Sequence, residues 1–146
     1  LADAGLEVHA FSLAPITWPT QNNKFIYHQV LNKITYDEYS NILNKAKIGF
    51  HHSWMGDITF RPFEVTGCGS LLLTDKFDSE FTLWDVNKEI VVYNSEKEMV
   101  ELAKYYVNSE VERNEIALKG NIKTSKIHKW SDRLLKLVSL IGVSNI

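Results

Sequence analysis

The residues of this sequence that are best suited to chemistry lie in one short segment, from Gly56 to Gly69. Arg61 carries a planar guanidinium, which can bind phosphate oxygens through two parallel hydrogen bonds. Glu64 follows three residues later, about one helical turn along, and its carboxylate can accept hydrogen bonds from a pair of hydroxyls such as those of a ribose. A phosphate held by the arginine and a diol held by the glutamate together describe a nucleotide.

A purely structural explanation of the same two residues stays open at this point. An acidic residue in the first turn of a helix stabilises that helix by roughly 0.3–1 kcal/mol without any ligand. Arg61 and Glu64 are also spaced so that they could pair with each other along one helix face. The spacing alone does not decide between the two explanations.

The elements around the segment predict where these side chains lie. Apolar runs at Lys47 to His52 and at Ser70 to Thr74 flank it, and strand, loop, helix, strand is the order of a parallel crossover unit. Pro62 suits the first helical position, so the helix is predicted to begin close to Arg61 with its free N–H groups facing the loop. The loop at 53–57 leaves the carboxyl end of the first strand, where ligands of open α/β sheets bind. The loop and the helix start are therefore expected to share one crevice.

The whole chain predicts the α/β class. Its order of elements indicates a Rossmann-like three-layer domain with about five mostly parallel strands and helices on both faces. The length of 146 residues favours a single domain, 1–146. Thr35 with Glu38, and Ser95 with Glu98, have the spacing of capping boxes at helix starts. After the first of them, an apolar stripe is predicted to face the core rather than a ligand, and it consists of Tyr36, Tyr39, Leu43 and Ala46.

Composition excludes several classes of function. The net charge is −2, without a basic face suited to nucleic acid. No apolar run is long enough to predict a membrane span. One cysteine, Cys68, rules out an internal disulfide and fits a reducing compartment, so a cytoplasmic location is expected.

The adjacent histidines His51 and His52 do not predict a metal site. Neighbours on a strand point to opposite faces, and no cysteine or carboxylate has zinc-like spacing to them. We expect one of the two to be structural, while the other could contact a phosphate or sugar of the bound ligand. No metal and no cofactor is predicted.

The letters from Arg61 to Gly69, RPFEVTGCG, followed by SLLLTD, resemble a segment of the GT-B glycosyltransferases. The likeness is closest to their spore-maturation, CgeB-like branch, and it extends in order and spacing from about Gly5 to Ile141. In that superfamily the segment belongs to the C-terminal Rossmann-like domain, which binds a nucleotide-diphosphate sugar as donor substrate.

The resemblance implies roles for individual residues. Glu64 matches the glutamate that holds the donor's ribose, and Arg61 lies near its diphosphate, so these two are the candidate catalytic residues. The larger retaining families carry a second glutamate eight positions earlier, where this sequence has Gly56, with Asp57 as a candidate substitute. The full set of candidate donor-binding residues is Trp54, Gly56, Asp57, Arg61, Glu64 and Gly67.

Two further parts of the family pattern receive structural interpretations. Glu89 occupies the family's glutamate position before the last strand, and we expect it to anchor a loop rather than contact the donor. His128 belongs to a terminal histidine, aromatic and arginine cluster, and we expect a hydrogen-bonded structural residue there. Arg113, Ile116 and Ala117 match the family's pattern of arginine, two residues, isoleucine and alanine.

The resemblance implies transfer of a sugar from a nucleotide-diphosphate sugar to a hydroxyl-bearing acceptor of unknown identity. Leu1 to Gly5 has the pattern of a helix end, so the chain is expected to be part of a two-domain protein whose N-terminal domain is missing here. A chain of this kind is expected to bind its donor better than it turns it over. The alternative is a non-catalytic nucleotide-binding or protein-interaction module with the same fold, which Gly56 favours.

Two other classes are excluded by single positions. A phosphorelay receiver needs acidic residues at strand ends where Phe11 and His52 stand. Dinucleotide binding of the glycine-rich type needs a third glycine where Leu72 stands.

Overall fold

The computed structural model describes residues 1–12, 23–29, 34–53, 56, 59–76 and 83–142. A single 3-10 turn, Ala2–Ala4, comes first. The strands that follow in these ranges are β1 (Val8–Ser12), β2 (Phe25–Gln29), β3 (Ile48–His51), β4 (Leu71–Asp75) and β5 (Val91–Tyr93). The helices are α1 (Tyr36–Lys45), α2 (Arg61–Gly67), α3 (Glu96–Asn108), α4 (Glu110–Ile127) and α5 (Trp130–Leu140).

The predicted α/β class and the parallel pairing of the strands are confirmed. β3, β4 and β5 form a three-stranded sheet in that order, and β1 pairs with β2 in a separate two-stranded sheet. The sequence marks where strands lie through local apolar patterns, but the choice of neighbour depends on contacts distant in sequence. The division into two sheets was therefore not predicted.

β4 lies at the centre of the larger sheet and is covered on both faces. Leu71 and Leu73 point to one face, where they pack against α3 and α4 through Ala103 and Ile116. Leu72 points to the other face, where it joins a second cluster made by Leu43, Val65, Trp84 and Ile90. This arrangement explains the unbroken apolar run of β4, since a parallel strand between two helix layers has no solvated side.

Helix α1 begins as predicted, with a complete capping box. The Thr35 side chain accepts from the Glu38 N–H, and Glu38 in turn accepts from the Thr35 N–H. The predicted stripe is correct for Leu43, which is buried, but wrong for Tyr36, whose side chain is 91% exposed in the first turn of the helix. Tyr39 is partly buried against the second cluster.

At α3 only half of the predicted capping box forms. Ser95 accepts from the Glu98 N–H at 3.2 Å, but the Glu98 carboxylate accepts from the N–H of Asn94 instead of that of Ser95. The helix nevertheless starts at the predicted place, and it buries Ala103 and Tyr106.

Contacts of Arg113 and Glu89 join α4 to the rest of the domain. The Arg113 guanidinium donates to the carbonyls of Tyr106 and Val107 at the C-terminal end of α3. Glu89 accepts from the Lys123 ammonium at 2.7 Å and from the Asp85 N–H at 2.6 Å, which confirms the predicted anchoring role. Both side chains therefore hold loops and helix ends in place.

Candidate functional site

Helix α2 starts at Arg61, as predicted, with Pro62 buried at its second position. The residue before the helix, Phe60, provides no side-chain cap, but the Arg61 N–H donates to the Thr59 hydroxyl at 3.3 Å. The same hydroxyl contacts Nε2 of His51, the last residue of β3, at 3.1 Å. The start of α2 is thus tied to the carboxyl end of β3.

Arg61 and Glu64 lie together at this end of α2, and Tyr39 of α1 joins them. The Tyr39 hydroxyl donates to Oε2 of Glu64 at 2.8 Å. A guanidinium nitrogen of Arg61 lies 3.6 Å from the same oxygen, and the guanidinium carbon is 5.2 Å from the Tyr39 ring centre. We refer to these three residues as the α2 cluster.

The pairing of Arg61 with Glu64 contributes little to stability. The two side chains are 47% and 41% exposed, and their closest charged atoms are 3.6 Å apart. Exposed ion pairs of this kind are worth between about 0 and 1 kcal/mol. A structural contact between the two therefore exists, but it leaves both charged groups partly accessible from solvent.

A buried polar network holds α2 against α4. The Thr66 hydroxyl donates to the Pro62 carbonyl and contacts the Thr124 hydroxyl at 2.8 Å. Thr124 in turn accepts from the Trp84 indole N–H at 3.1 Å. The Asn121 amide donates to the last carbonyls of α2, those of Thr66 and Gly67. Because these polar groups are paired, the helix that carries the α2 cluster has a defined orientation.

His128 supports the same helix from its outer side. Its ring packs against Phe63 and Trp84, with ring centres 5.4 and 5.3 Å apart. Nε2 donates to the Leu83 carbonyl at 3.1 Å, so Nδ1 is the atom that accepts from Arg133 at 3.3 Å. The predicted structural role of His128 is confirmed.

The pKa of His128 makes this support dependent on pH. Burial lowers the pKa from its ordinary value of 6.5 and is the largest cause; the hydrogen bond to the Leu83 carbonyl opposes it, and the positive charges of Arg133 and Lys123 lower the pKa further. At pH values between the folded-state pKa of His128 and its ordinary value of 6.5, this residue binds more protons in the unfolded chain than in the folded one. We therefore expect the contribution of His128 to the free energy of unfolding to be fully present above pH 6.5. It should decrease as the pH falls towards the folded-state pKa.

Urea unfolding at several pH values on both sides of this interval measures the effect. In His128→Gln the fall in the free energy of unfolding on acidification is expected to be smaller than in the wild type. Parallel curves for the two proteins would contradict the assignment. His9 lies on β1, is exposed and pairs with Glu7, so His9→Gln provides the matched control variant.

The remaining candidate residues have separate outcomes. Gly56 has a φ of 73°, in the left-handed region that glycine adopts without strain. Gly67 lies at the opposite end of α2 from Arg61, and its carbonyl accepts from Asn121. Trp54 and Asp57 lie outside the described residues, so their donor-binding roles stay predictions.

The two adjacent histidines point to opposite faces of β3, as predicted. His51 is buried and contacts the hydroxyls of Thr74 and Thr59. The His52 side chain is 53% exposed, and its Nδ1 lies 2.7 Å from a carboxylate oxygen of Asp75, at the end of β4. Within the described ranges, no group of three or more histidine, cysteine, aspartate or glutamate side chains is arranged to hold a metal ion.

Sequence reasoning missed the contribution of Tyr39 and Asp75. Tyr39 was placed in the core because of its helical spacing, and nothing local indicates that its hydroxyl reaches a carboxylate 25 positions away. Asp75 directly follows an apolar strand, which is a recognisable position for a ligand-binding side chain in this fold class. That position was the one available signal.

The comparison with protein families gives a match to the family described as glycosyl transferase-like, over residues 2–139. Neither the comparison with curated proteins nor that with solved structures gives a match. Among the described residues, no helix has the length and apolar character needed to cross a membrane. Since the match covers nearly the whole sequence, including every strand and all but the last residue of the last helix, the chain belongs to the glycosyl transferase-like family.

Proposed function

We propose that this chain binds the nucleotide-diphosphate-sugar donor of a glycosyltransferase of the GT-B type, in the CgeB-like branch. The α2 cluster is the observation that carries the proposal. Arg61 supplies a cation and Glu64 a carboxylate at the same end of one helix, at the carboxyl edge of a parallel sheet. We further propose a cytoplasmic location, on the basis of the single cysteine.

Each residue has a distinct task in this proposal. Arg61 binds the diphosphate and offsets the negative charge that develops on it as the sugar leaves. Glu64 accepts hydrogen bonds from the ribose hydroxyls and so fixes the position of the reacting bond. Tyr39 holds Oε2 of Glu64 from the other side at 2.8 Å, which limits the orientations of the carboxylate before the donor arrives.

The small contribution of the Arg61–Glu64 pair to the stability of the fold supports the proposed donor-binding role. A pair with half-exposed side chains and 3.6 Å between its charged atoms can exchange that contact for a phosphate and a diol at little cost. Two geometrically strong hydrogen bonds between the same side chains would have argued for a purely structural role.

The second candidate function is a non-catalytic module that keeps nucleotide binding. Gly56 stands where related families have a second glutamate, and its φ of 73° would be strained for a glutamate. Glycine is therefore the residue that this backbone position requires. The carboxylate that related families have here is missing, and its absence favours the non-catalytic alternative.

A calorimetric titration tests donor binding directly. We expect one of UDP, GDP, ADP and dTDP to bind, and expect Glu64→Ala and Arg61→Ala each to weaken binding by about 1.5–3 kcal/mol, the value of a charge-assisted hydrogen bond. Tyr39→Phe should weaken it less, because the carboxylate remains. His9→Gln serves as the matched surface control and should bind normally.

Two outcomes would contradict the proposal. One is a folded protein that binds none of the four nucleotides at millimolar concentration. The other is binding that neither Glu64→Ala nor Arg61→Ala changes, since the nucleotide would then lie elsewhere on the surface.

A further inference from the structure

A second pair of ionisable side chains lies at the carboxyl edge of the larger sheet, on the other side of β3 from α2. Nδ1 of His52 is 2.7 Å from Oδ2 of Asp75. The second oxygen of Asp75 accepts from the Ser53 N–H at 2.6 Å. The carboxylate is only 17% exposed, whereas the imidazole is 53% exposed. A well-held acid thus orients an accessible base.

The position of this pair follows from the pleat of β3. Gly49 faces α2, where a Cβ would meet the Val65 side chain at 2.4 Å. Phe50 points the other way and stacks on Tyr93, which belongs to the core under α3 and α4. His52 shares the face of Phe50 because side chains alternate along a strand. Arg61 and His52 therefore flank the carboxyl end of β3 from opposite sides.

The hydrogen bond to Asp75 also selects the form of the imidazole. A carboxylate at Nδ1 holds the proton there, so that Nε2 carries the lone pair of the neutral ring. Two titratable groups of the described residues lie against His52: Asp75 from β4, and Tyr93 from β5, whose hydroxyl is 3.4 Å from Nδ1. Burial and the charge of Asp75 raise the pKa of Tyr93 to about 12, so the tyrosine stays protonated at neutral pH.

We propose that His52 is the general base of the transfer reaction and that Asp75 is its positioning residue. The inference rests on the proposed function and deepens it. As the acceptor oxygen forms a bond to the anomeric carbon, its proton passes to Nε2 of His52. The bond from that carbon to the diphosphate oxygen breaks, and the nucleoside diphosphate leaves with the electron pair, next to Arg61.

This assignment implies inversion at the anomeric carbon. A direct displacement requires the nucleophile and the leaving group on opposite sides of the reacting carbon. A sugar lying across the end of β3, between Arg61 on one side and His52 on the other, meets that requirement. The base is then supplied by this domain rather than by a partner domain.

Donor hydrolysis, with water as acceptor, gives the first test. The probes are UDP-glucose, GDP-mannose, ADP-glucose and dTDP-glucose, each with an α-linked sugar. We expect His52→Gln to lower kcat by about 10²-fold or more, with the KM for the donor nearly unchanged, and to abolish the low-pH limb of the rate profile. Asp75→Asn should also lower kcat. Free imidazole in solution should restore activity to His52→Ala. The first product that the wild type releases should be the β-sugar. His9→Gln should leave rate and profile unchanged.

The results separate the two proposals. If no nucleotide binds, both fail. If Glu64→Ala abolishes hydrolysis while His52→Gln keeps the wild-type rate and pH profile, donor binding stands and the general base is overturned. Initial release of the α-sugar also overturns it.

NMR decides the case in which the wild-type chain binds nucleotide but hydrolyses none of the probes. The nitrogen and carbon signals of the imidazole identify the neutral form of His52, which should carry its proton on Nδ1 in the wild type and lose that preference in Asp75→Asn. Addition of the bound nucleotide sugar should shift the His52 signals and leave those of His9 unchanged. Unshifted His52 signals, or an Nε2 proton in the wild type, would contradict the assignment.

Discussion

Trp84→Ala is expected to lower the free energy of unfolding by about 3–5 kcal/mol, the usual cost of removing a large buried aromatic side chain. Trp84 is completely buried. Its ring packs on Phe63 with centres 4.8 Å apart, and its indole N–H donates to Thr124. Truncation would leave a cavity next to α2 and remove one of the two hydrogen-bond partners of the Thr124 hydroxyl, which would then keep only Thr66, and so would loosen the helix that carries the α2 cluster.

Denaturant unfolding followed by circular dichroism measures the change. Trp84→Phe keeps most of the ring but loses the N–H, so it should fall between wild type and Trp84→Ala. Trp130→Ala is the matched control, since its side chain is 66% exposed, and it should change stability by no more than about 0.5 kcal/mol. An equal loss from Trp84→Ala and Trp130→Ala would contradict the packing described here.

Gly120→Ala is expected to be the second large destabilisation, by roughly 1–3 kcal/mol. A Cβ at Gly120 would lie 2.3 Å from the Glu89 carbonyl oxygen. That oxygen belongs to the backbone before β5, so a shift of the chain is needed to make room. Alanine favours helix over glycine by up to about 1 kcal/mol, and the clash must outweigh this gain for the prediction to hold.

Gly67→Ala supplies the comparison that isolates the clash. Gly67 is also helical, and among the described residues a Cβ there would meet only the Thr124 methyl, at 3.9 Å. Unfolding in denaturant should therefore show Gly67→Ala to be neutral or slightly stabilising and Gly120→Ala to be destabilising. If both substitutions stabilise the protein, α4 does not approach β5 as closely as described.

Signals carried by neighbouring residues were sufficient to predict much of the fold. The capping box of Thr35 and Glu38, the continuous apolar run of β4 and the proline at the start of α2 each act within a few residues. Local physics determines such features, because helix ends and strand burial depend on nearby side chains and on hydrogen bonds close in sequence. The predicted elements around the α2 cluster accordingly agree with the structure.

The features that were not predicted depend on contacts distant in sequence. The hydroxyl of Tyr39 meets Glu64 across two helices, and His52 meets Asp75 across two strands. The pairing of β1 with β2 alone, apart from the larger sheet, is of the same kind. Spacing along the chain indicates the face on which a side chain lies, but not the partner that it meets there.

The most direct test of the donor-binding proposal links Glu64 to the ribose hydroxyls. The nucleoside diphosphate that binds best is compared with its 2′,3′-dideoxy form, on the wild type and on the Glu64→Ala and Arg61→Ala variants. In the wild type, removal of the hydroxyls should weaken binding by about tenfold or more, corresponding to a charge-assisted hydrogen bond.

The two variants should respond differently to the same change of ligand. Removal of the hydroxyls should cost almost nothing in Glu64→Ala, because the group that accepts them is gone. It should cost as much in Arg61→Ala as in the wild type, because the arginine binds the phosphates. A hydroxyl effect of the same size in wild type and Glu64→Ala would contradict the central proposal that Glu64 holds the donor's ribose.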